Sequence, residues 1–372
     1  MVKYWIWLEA RKHLGNTGKR NLLASFPNAK SIWEADRSAL ERVGELNPQA
    51  VLALLDKSLE EAEKILSLCK KLGISCLTWD DAAYPDKLRS IPDPPLVLYY
   101  KGTLPDFDRE ATVGVVGTRK LSDYGRRMSA QFGRQIAACG GIVVSGLAEG
   151  VDGISMENAL NAGGVTVGVL GHGPERIYPA SAHRLYAAVE KQGCLLSEFP
   201  PGTRGGAWAF PKRNRIISGL SDAVLVVEAP EKSGALITAD FAREQGRALY
   251  AVPSSLDQDT GKGSNQLLRD GAAAAMDGWQ ILAPLQLRYP QLHRVCPDEI
   301  PTPDKKSVDK KPGRAYSCVS ADLSPDARRL LEAYEAGEND MDLLVLRLEL
   351  SVSRILVLRT ELELKGFTLP PL

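Results

Sequence analysis

Ala111-Thr-Val-Gly-Val-Val-Gly-Thr-Arg119 decides the fold. Its first six residues are apolar or β-branched and lack clean alternation, the pattern of a short strand covered on both faces. The run closes on Gly117-Thr-Arg119, and a helical pattern follows over Tyr124–Cys139. A second strand pattern, Gly141–Ser145, comes next. Working outward, the same order repeats. Further strand candidates are Val97–Tyr100, Val165–Leu170, Leu195–Glu198, Ala223–Glu228 and Ala248–Val252. Further helix candidates are Gly153–Ala162, Ser181–Gln192, Asn214–Leu220 and Leu236–Gln245. Strands alternating with helices predict an α/β, doubly wound, mostly parallel sheet. Ligands of such sheets sit beyond the carboxyl ends of the strands.

The 372 residues suit two or three domains. Residues 1–80 read as a helical module. Leu14-Gly-Asn-Thr-Gly-Lys19 is a glycine-punctuated turn of the kind that presents backbone N–H groups to phosphate in helix-hairpin-helix units. Breaker-rich Asp80–Pro85 and Pro92–Pro95 mark a boundary. The sheet domain spans 81–284. Residues 285–322 read as a linker, with five prolines between Leu285 and Ser320. Residues 323–372 read as a three-helix, winged-helix-like module, whose last helix is nearly charge-balanced and weak for gripping DNA.

The chain carries 46 basic and 46 acidic residues. A zero net charge excludes a uniformly basic coat but permits a focused basic groove. Six cysteines lie far apart, with no Cys-x-x-Cys pair, and four scattered histidines offer no zinc spacing. With no apolar run of about 18 residues and no secretory leader, the expectation is a reduced, cytoplasmic protein.

Against that neutral background, Phe210-Pro-Lys-Arg-Asn-Arg-Ile-Ile-Ser-Gly-Leu-Ser221 stands out. Lys212, Arg213 and Arg215 fall in four positions, Arg204 precedes them, and no acidic residue occurs between Glu198 and Asp222. Guanidinium groups suit phosphate, because their planar fork makes two parallel hydrogen bonds. A basic run alone is commonly a solvated helix face. Here five loops at strand ends accompany it: Gly114–Arg119, Ser145–Asp152, Leu170–Gly173, Ser197–Gly202 and Glu228–Thr238. Their glycines and helix starts expose backbone donors, so together they predict an anion-binding rim. Phe199, Trp208 and Phe210 lie near the basic run as candidate base-stacking rings. Neither G-x-x-x-x-G-K-[ST] nor G-x-G-x-x-G is present, since Arg176 stands at the third glycine position after Gly171-His-Gly173.

In this set of motifs the chain resembles the DNA-processing protein A (DprA/Smf) family. The matching residues are Gly117-Thr-Arg119, Ser145-Gly-Leu-Ala148 with Gly150-Val-Asp152, Tyr178-Pro179 and Ser197-Glu198. Phe210-Pro-x-Arg-Asn-Arg215 with Ser218-Gly-Leu-Ser221 follows, then Val227-Glu-Ala229, Ser233-Gly-Ala-Leu-Ile-Thr238, Gly263-x-Asn265 and Gly271-Ala272. They run in order from about Tyr84 to Leu282. The resemblance implies an extended Rossmann-like domain that holds single-stranded DNA. A helix-hairpin-helix or SAM-like module before it and a winged-helix-like module after it also fit the family. It further implies a homodimer that protects incoming DNA and loads RecA recombinase in natural transformation, with single-strand-binding protein as a further partner. No cofactor, metal or catalysed reaction is implied. Carried over by motif, Arg119, Lys212, Arg213 and Arg215 should contact phosphates, Ser145 and Gly146 should shape the pocket floor, and Asn214 should hydrogen-bond a base or the backbone.

Three departures stand out. The family usually has Ala-His where Ser155-Met156 stand, and Val-Pro-Gly where Val252-Pro-Ser254 stand. The chain ends at Gly366–Leu372, where a wing would continue. The alternative function is a nucleotide-binding hydrolase of a related Rossmann-like fold, for which Glu149, Asp152, Glu198 and Glu228 are the available carboxylates.

Overall fold

A computed structural model describes residues 1–295, 324–335, 341–348 and 350–364. The chain divides into two compact units, Met1–Pro303 and Asp304–Leu372.

The first unit holds nine strands: β1 Ser75–Thr78, β2 Val97–Gly102, β3 Thr112–Val116, β4 Ile142–Ser145, β5 Thr166–Leu170, β6 Cys194–Ser197, β7 Ala223–Val226, β8 Ala248–Ala251 and β9 Ala273–Ala274. Their spatial order is β1-β2-β6-β5-β4-β3-β7-β8-β9. Every pairing from β6 through to β9 is parallel, while β1–β2 and β2–β6 are antiparallel. The chain therefore winds from β3 outward to β6, then crosses back to lay β7 on the other side of β3. That reversal places a crevice at the carboxyl ends of β3, β4 and β7.

Fourteen α-helices accompany the sheet among the described residues. Six precede its central strands: α1 Val2–Glu9, α2 Asn16–Ser25, α3 Ala29–Glu34, α4 Arg37–Glu41, α5 Pro48–Leu55 and α6 Glu60–Leu72. The others are α7 Asp86–Arg89, α8 Asp123–Ala138, α9 Val151–Asn161, α10 His183–Gln192, α11 Ala209–Gly219, α12 Gly234–Glu244, α13 Lys262–Arg269 and α14 Gly278–Leu282.

Strand alternation sends side chains to two cores. On β3, Val113 and Val115 enter one with Phe132, Ile136 and Met156. Val116 enters the other with Ile216, Ile217 and Ala239. Both faces are thus covered by helices, which explains why the strands read as apolar runs. A third core gathers Trp5, Trp7, Leu22, Ile32 and Leu54 against Leu96, Val97 and Tyr99. The N-terminal helices are therefore packed onto the antiparallel end of the sheet.

At the amino ends of β3 and β7 lies a buried ionic cluster. Lys87 Nζ is 2.7 Å from Asp222 Oδ2 and donates to Thr112 Oγ1 at 3.0 Å. Tyr289 Oη donates to the other Asp222 oxygen at 2.9 Å.

The structure amends the sequence-based boundaries at several points. Ser75–Thr78, inside the stretch expected to be helical, is a sheet strand. The stretch read as a linker from Leu285 is packed at its start, since Tyr289 and Leu292 are buried in the first core. Its part from residue 296 onward, with Cys296 and Cys318, lies outside the described residues. Helix α11 begins at Ala209 instead of Asn214, so the basic run sits on the helix and not in a loop before it.

The second unit has α15 Pro325–Glu335, α16 Met341–Leu348 and α17 Val352–Leu364. They bury Leu330, Leu344, Ile355, Leu358 and Leu362 together. Its described residues contain no strand, and 365–372, where a wing would follow, lie outside them. Among the described residues, no helix is long and apolar enough to cross a membrane.

Candidate nucleic-acid interface

The loop after β3 is fixed from two sides. Thr118 N donates to the Glu228 carbonyl at 2.7 Å. The buried Glu228 carboxylate accepts from Ser122 Oγ at 2.7 Å, Ser122 N at 3.0 Å and Thr260 Oγ1 at 2.6 Å. Ser122 in turn caps α8 by accepting from Gly125 N at 3.0 Å. On the other side, Val151 N donates to the Thr118 carbonyl at 3.2 Å. Gly150 makes that approach possible: its φ is +90°, and a Cβ there would lie 2.6 Å from Arg119 Cα. The backbone at Arg119 is thus held while its side chain stays exposed. Its guanidinium stands 5.4 Å from the Phe210 ring centroid, in cation–π range, and has no ion pair with any described residue.

Helix α11 distributes the basic run by its turn of about 100° per residue. Arg213 and Arg215, two positions apart, therefore point to nearly opposite sides. Arg213 faces the crevice at 4% exposure. It donates to the Val169 carbonyl, and its Nε has no partner. Its guanidinium rests on Gly146, where any Cβ would collide with it. Gly146 N donates to Asp152 Oδ2 at 3.1 Å. Burial raises the Asp152 pKa, and the nearby Arg213 charge opposes that rise. Ser145 lies beneath this floor, fully buried, donating to the Val115 carbonyl at 2.6 Å. Asn214 lines the crevice and donates to the Gly234 carbonyl at 3.3 Å.

Arg215 points elsewhere. Its Nη2 is 2.6 Å from Glu198 Oε1, and its Nε is 3.1 Å from Asp93 Oδ2. Burial pushes its pKa down, but Glu198 and Asp93 more than offset this, leaving it raised. Lys212 lies 3.3 Å from the same Glu198 oxygen with its side chain 41% exposed. Of the residues expected to contact phosphate, the structure brings Arg119 and Arg213 to one cleft, beside Gly146 and Asn214. Arg215 is held by carboxylates outside that cleft, and Lys212 does not line it.

The cleft measures about 330 Å³ and is walled by Thr118, Arg119, Phe210, Arg213, Asn214 and Lys232. Lys232 is exposed and without an ion pair among the described residues. It is absent from the set expected from sequence, although a cation just before a helix start is a legible signal. Ser233 begins α12 there and accepts from Ala235 N at 3.3 Å. A positive helix end, the exposed cations Arg119 and Lys232 and a buried guanidinium therefore meet at one place.

Phe210 and Tyr178 border the rim, whereas Trp208 lies off the cleft beside Phe199. Tyr178 is 54% and Trp208 62% exposed. Tyr178 lies 6.0 Å from Phe210, and Trp208 packs edge-on against the buried Phe199 at 5.3 Å. Phe210 and Trp208 remain accessible from the stacking set read in the sequence, but only Phe210 lines the cleft; Phe199 is buried against Trp208.

The carboxylates needed by a hydrolase are engaged. Glu198 is paired, Glu228 caps and bridges, Asp152 accepts from the cleft floor, and exposed Glu149 accepts from Ser181 Oγ at 3.1 Å.

Behind the floor, His172 is buried, with Nδ1 3.0 Å from the Gly173 carbonyl and Nε2 3.3 Å from Tyr186 Oη. Burial lowers its pKa. The unfolded chain, with an ordinary value of about 6.5, then takes up the proton first on acidification. Stability should be intact above that pH and fall below it. Urea midpoints at pH 7.5 and 5.5 test this. His172→Asn should show a smaller acid loss than the parent, and an equal loss in both would refute the assignment.

An open, mostly parallel sheet with a cation-bearing cleft at its topological reversal defines a Rossmann-like fold. The family described as DNA recombination-mediator protein A matches residues 75–286. The chain is 32% identical to Protein Smf of Synechocystis sp. over 98% of this chain and 95% of that one. It is 38% identical to DNA processing protein DprA of Bacillus subtilis over 70% of this chain and 90% of that one. The chain therefore belongs to the DNA recombination-mediator protein A (DprA/Smf) family. Among solved structures, DprA of Streptococcus pneumoniae superposes with a TM-score of 0.67 at 30% identity, covering 76% of this chain and 98% of that one. The Helicobacter pylori protein, whose structure concerns its single-stranded DNA binding mode, gives a TM-score of 0.53 at 29% identity, over 58% of this chain and 97% of that one.

Proposed function

We propose that this protein captures single-stranded DNA in the cleft between Arg119 and Lys232 and acts as a recombination mediator. One observation carries the proposal: Arg119 is an exposed guanidinium, without an ion pair among the described residues, on a rigidly held loop at the mouth of the cleft, in a chain with no net charge. Phosphates would sit against Arg119, Lys232 and the start of α12. Arg213 would hold the floor positive from below, and Asn214 offers a polar wall. Phe210 would stack a base without base preference. Capture of this kind needs no reaction, and the engaged state of Glu149, Asp152, Glu198 and Glu228 disfavours the hydrolase alternative. The family relationship supports the remaining elements of the proposal. They are a cytoplasmic homodimer, delivery of the strand to RecA in natural transformation, and contact with single-strand-binding protein.

Fluorescence anisotropy with labelled oligothymidine at several salt concentrations tests the cleft. Each single-strand phosphate left without its cation should flatten the plot of log affinity against log salt by about 0.7. Arg119→Ala with Lys232→Ala should therefore flatten it by about 1.4 and weaken capture roughly tenfold or more at low salt. An unchanged slope in the double variant would place the binding site elsewhere.

A further inference from the structure

The cleft lies near the lower end of the roughly 300–1,000 Å³ of small-molecule pockets and has room for about one nucleotide. A polymer seated there must leave it. Arg119 lines the cleft and also a second basin of about 480 Å³ on its far side. The start of α8 and the loop before it contribute Lys120 and Arg126 to that basin. Both are exposed, and neither forms an ion pair with a described residue. Leu121, Ile154 and Leu185 supply an apolar wall. Two carboxylates also line it: Glu149, tied to Ser181, and Glu157, which is exposed with no ion pair among the described residues.

Resting on the proposal that the cleft takes single-stranded DNA, we infer that the strand crosses Arg119 and continues through this basin. Its next phosphates lie along Lys120 and Arg126, and its bases turn toward Leu121, Ile154 and Leu185. Arg119 is then the pivot between two subsites. Lys120 and Arg126 set how many nucleotides one protomer holds, while Glu157 weakens the second subsite by like-charge repulsion with the backbone.

Length dependence separates this path from the cleft. The probes are fluorescein-labelled dT2 and dT20, titrated against the full chain. Lys120→Ala with Arg126→Ala should weaken dT20 about tenfold and flatten its salt slope by about 1.4. Capture of dT2 should stay within about twofold, since a dinucleotide extends little beyond the cleft. Glu157→Gln should shift dT20 the other way, tightening it about twofold while leaving dT2 unchanged. These side chains are exposed, so unfolding does not confound the result. An unchanged dT20 slope in the double variant overturns the path, as does an equal loss for both lengths. Wild-type protein that captures neither oligonucleotide overturns the cleft itself, and with it this extension.

Discussion

Replacing Arg215 by alanine is expected to cost the fold about 3–5 kcal/mol and to leave the salt dependence of strand capture unchanged. The residue belongs to the most basic stretch of the chain, yet its guanidinium is enclosed, with a side chain 5% exposed. Removing it strands Glu198, whose side chain is 3% exposed, with only the half-exposed Lys212 nearby. Asp93 loses its partner as well. An uncompensated buried carboxylate is far more costly than the net worth of the pair that held it. Urea denaturation of Arg215→Ala should reveal that loss, and adding Glu198→Gln should restore part of it. A slope flattened by about 0.7 in Arg215→Ala would show instead that this side chain reaches phosphate. A stability loss under about 1 kcal/mol would show that the enclosure is not as tight as described.

The second large effect lies at the opposite end of the sheet. Asp222→Ala should destabilise the protein by about 3–5 kcal/mol, because it leaves the buried Lys87 ammonium without a counter-charge. Thr112 N, which donates to Asp222 at 2.9 Å, loses its acceptor too. Burial already holds the Lys87 pKa below its ordinary value, with Asp222 opposing the fall. Without Asp222 the pKa falls further. The unfolded chain then binds a proton that the folded chain does not, so stability rises with pH and the deficit should narrow between pH 7 and 9. Lys87→Met on the Asp222→Ala background should recover much of the loss, since an apolar replacement of a buried pair is often tolerated. A double variant no more stable than Asp222→Ala, as read from urea midpoints, would contradict this account.

The central strands and the loops after them are legible in the sequence because their signals are local. Valine-rich runs closing on glycine and a helix pattern identify β3, β4 and β5 and the crevice they frame. Strand β1 is not legible in the same way. Ser75-Cys-Leu-Thr78 is four residues of mixed polarity directly after a helix, and only its pairing with β2 makes it a strand. The two-residue β9 is too short to carry a period at all. The sequence pattern starts α11 too late because Pro211 resembles a break, although proline is tolerated in the first turn of a helix. The roles of the three basic residues are harder still. Sequence shows the cluster, but the rotation of α11 assigns Arg213 to the cleft and Arg215 to the interior. The deciding partners, Glu198 and Asp93, lie 17 and 122 positions away.

Glu228 has a wider consequence. One carboxylate and one carbonyl from the same residue clasp Ser122, Thr260 and Thr118, so loops from β3 and β7 form a single stiff frame. If the proposed capture holds, a flexible strand would meet a seat that is already built, and little of its binding free energy would be consumed in ordering the protein. Preorganisation of that kind would let a neutral chain hold a highly charged polymer with only a few cations.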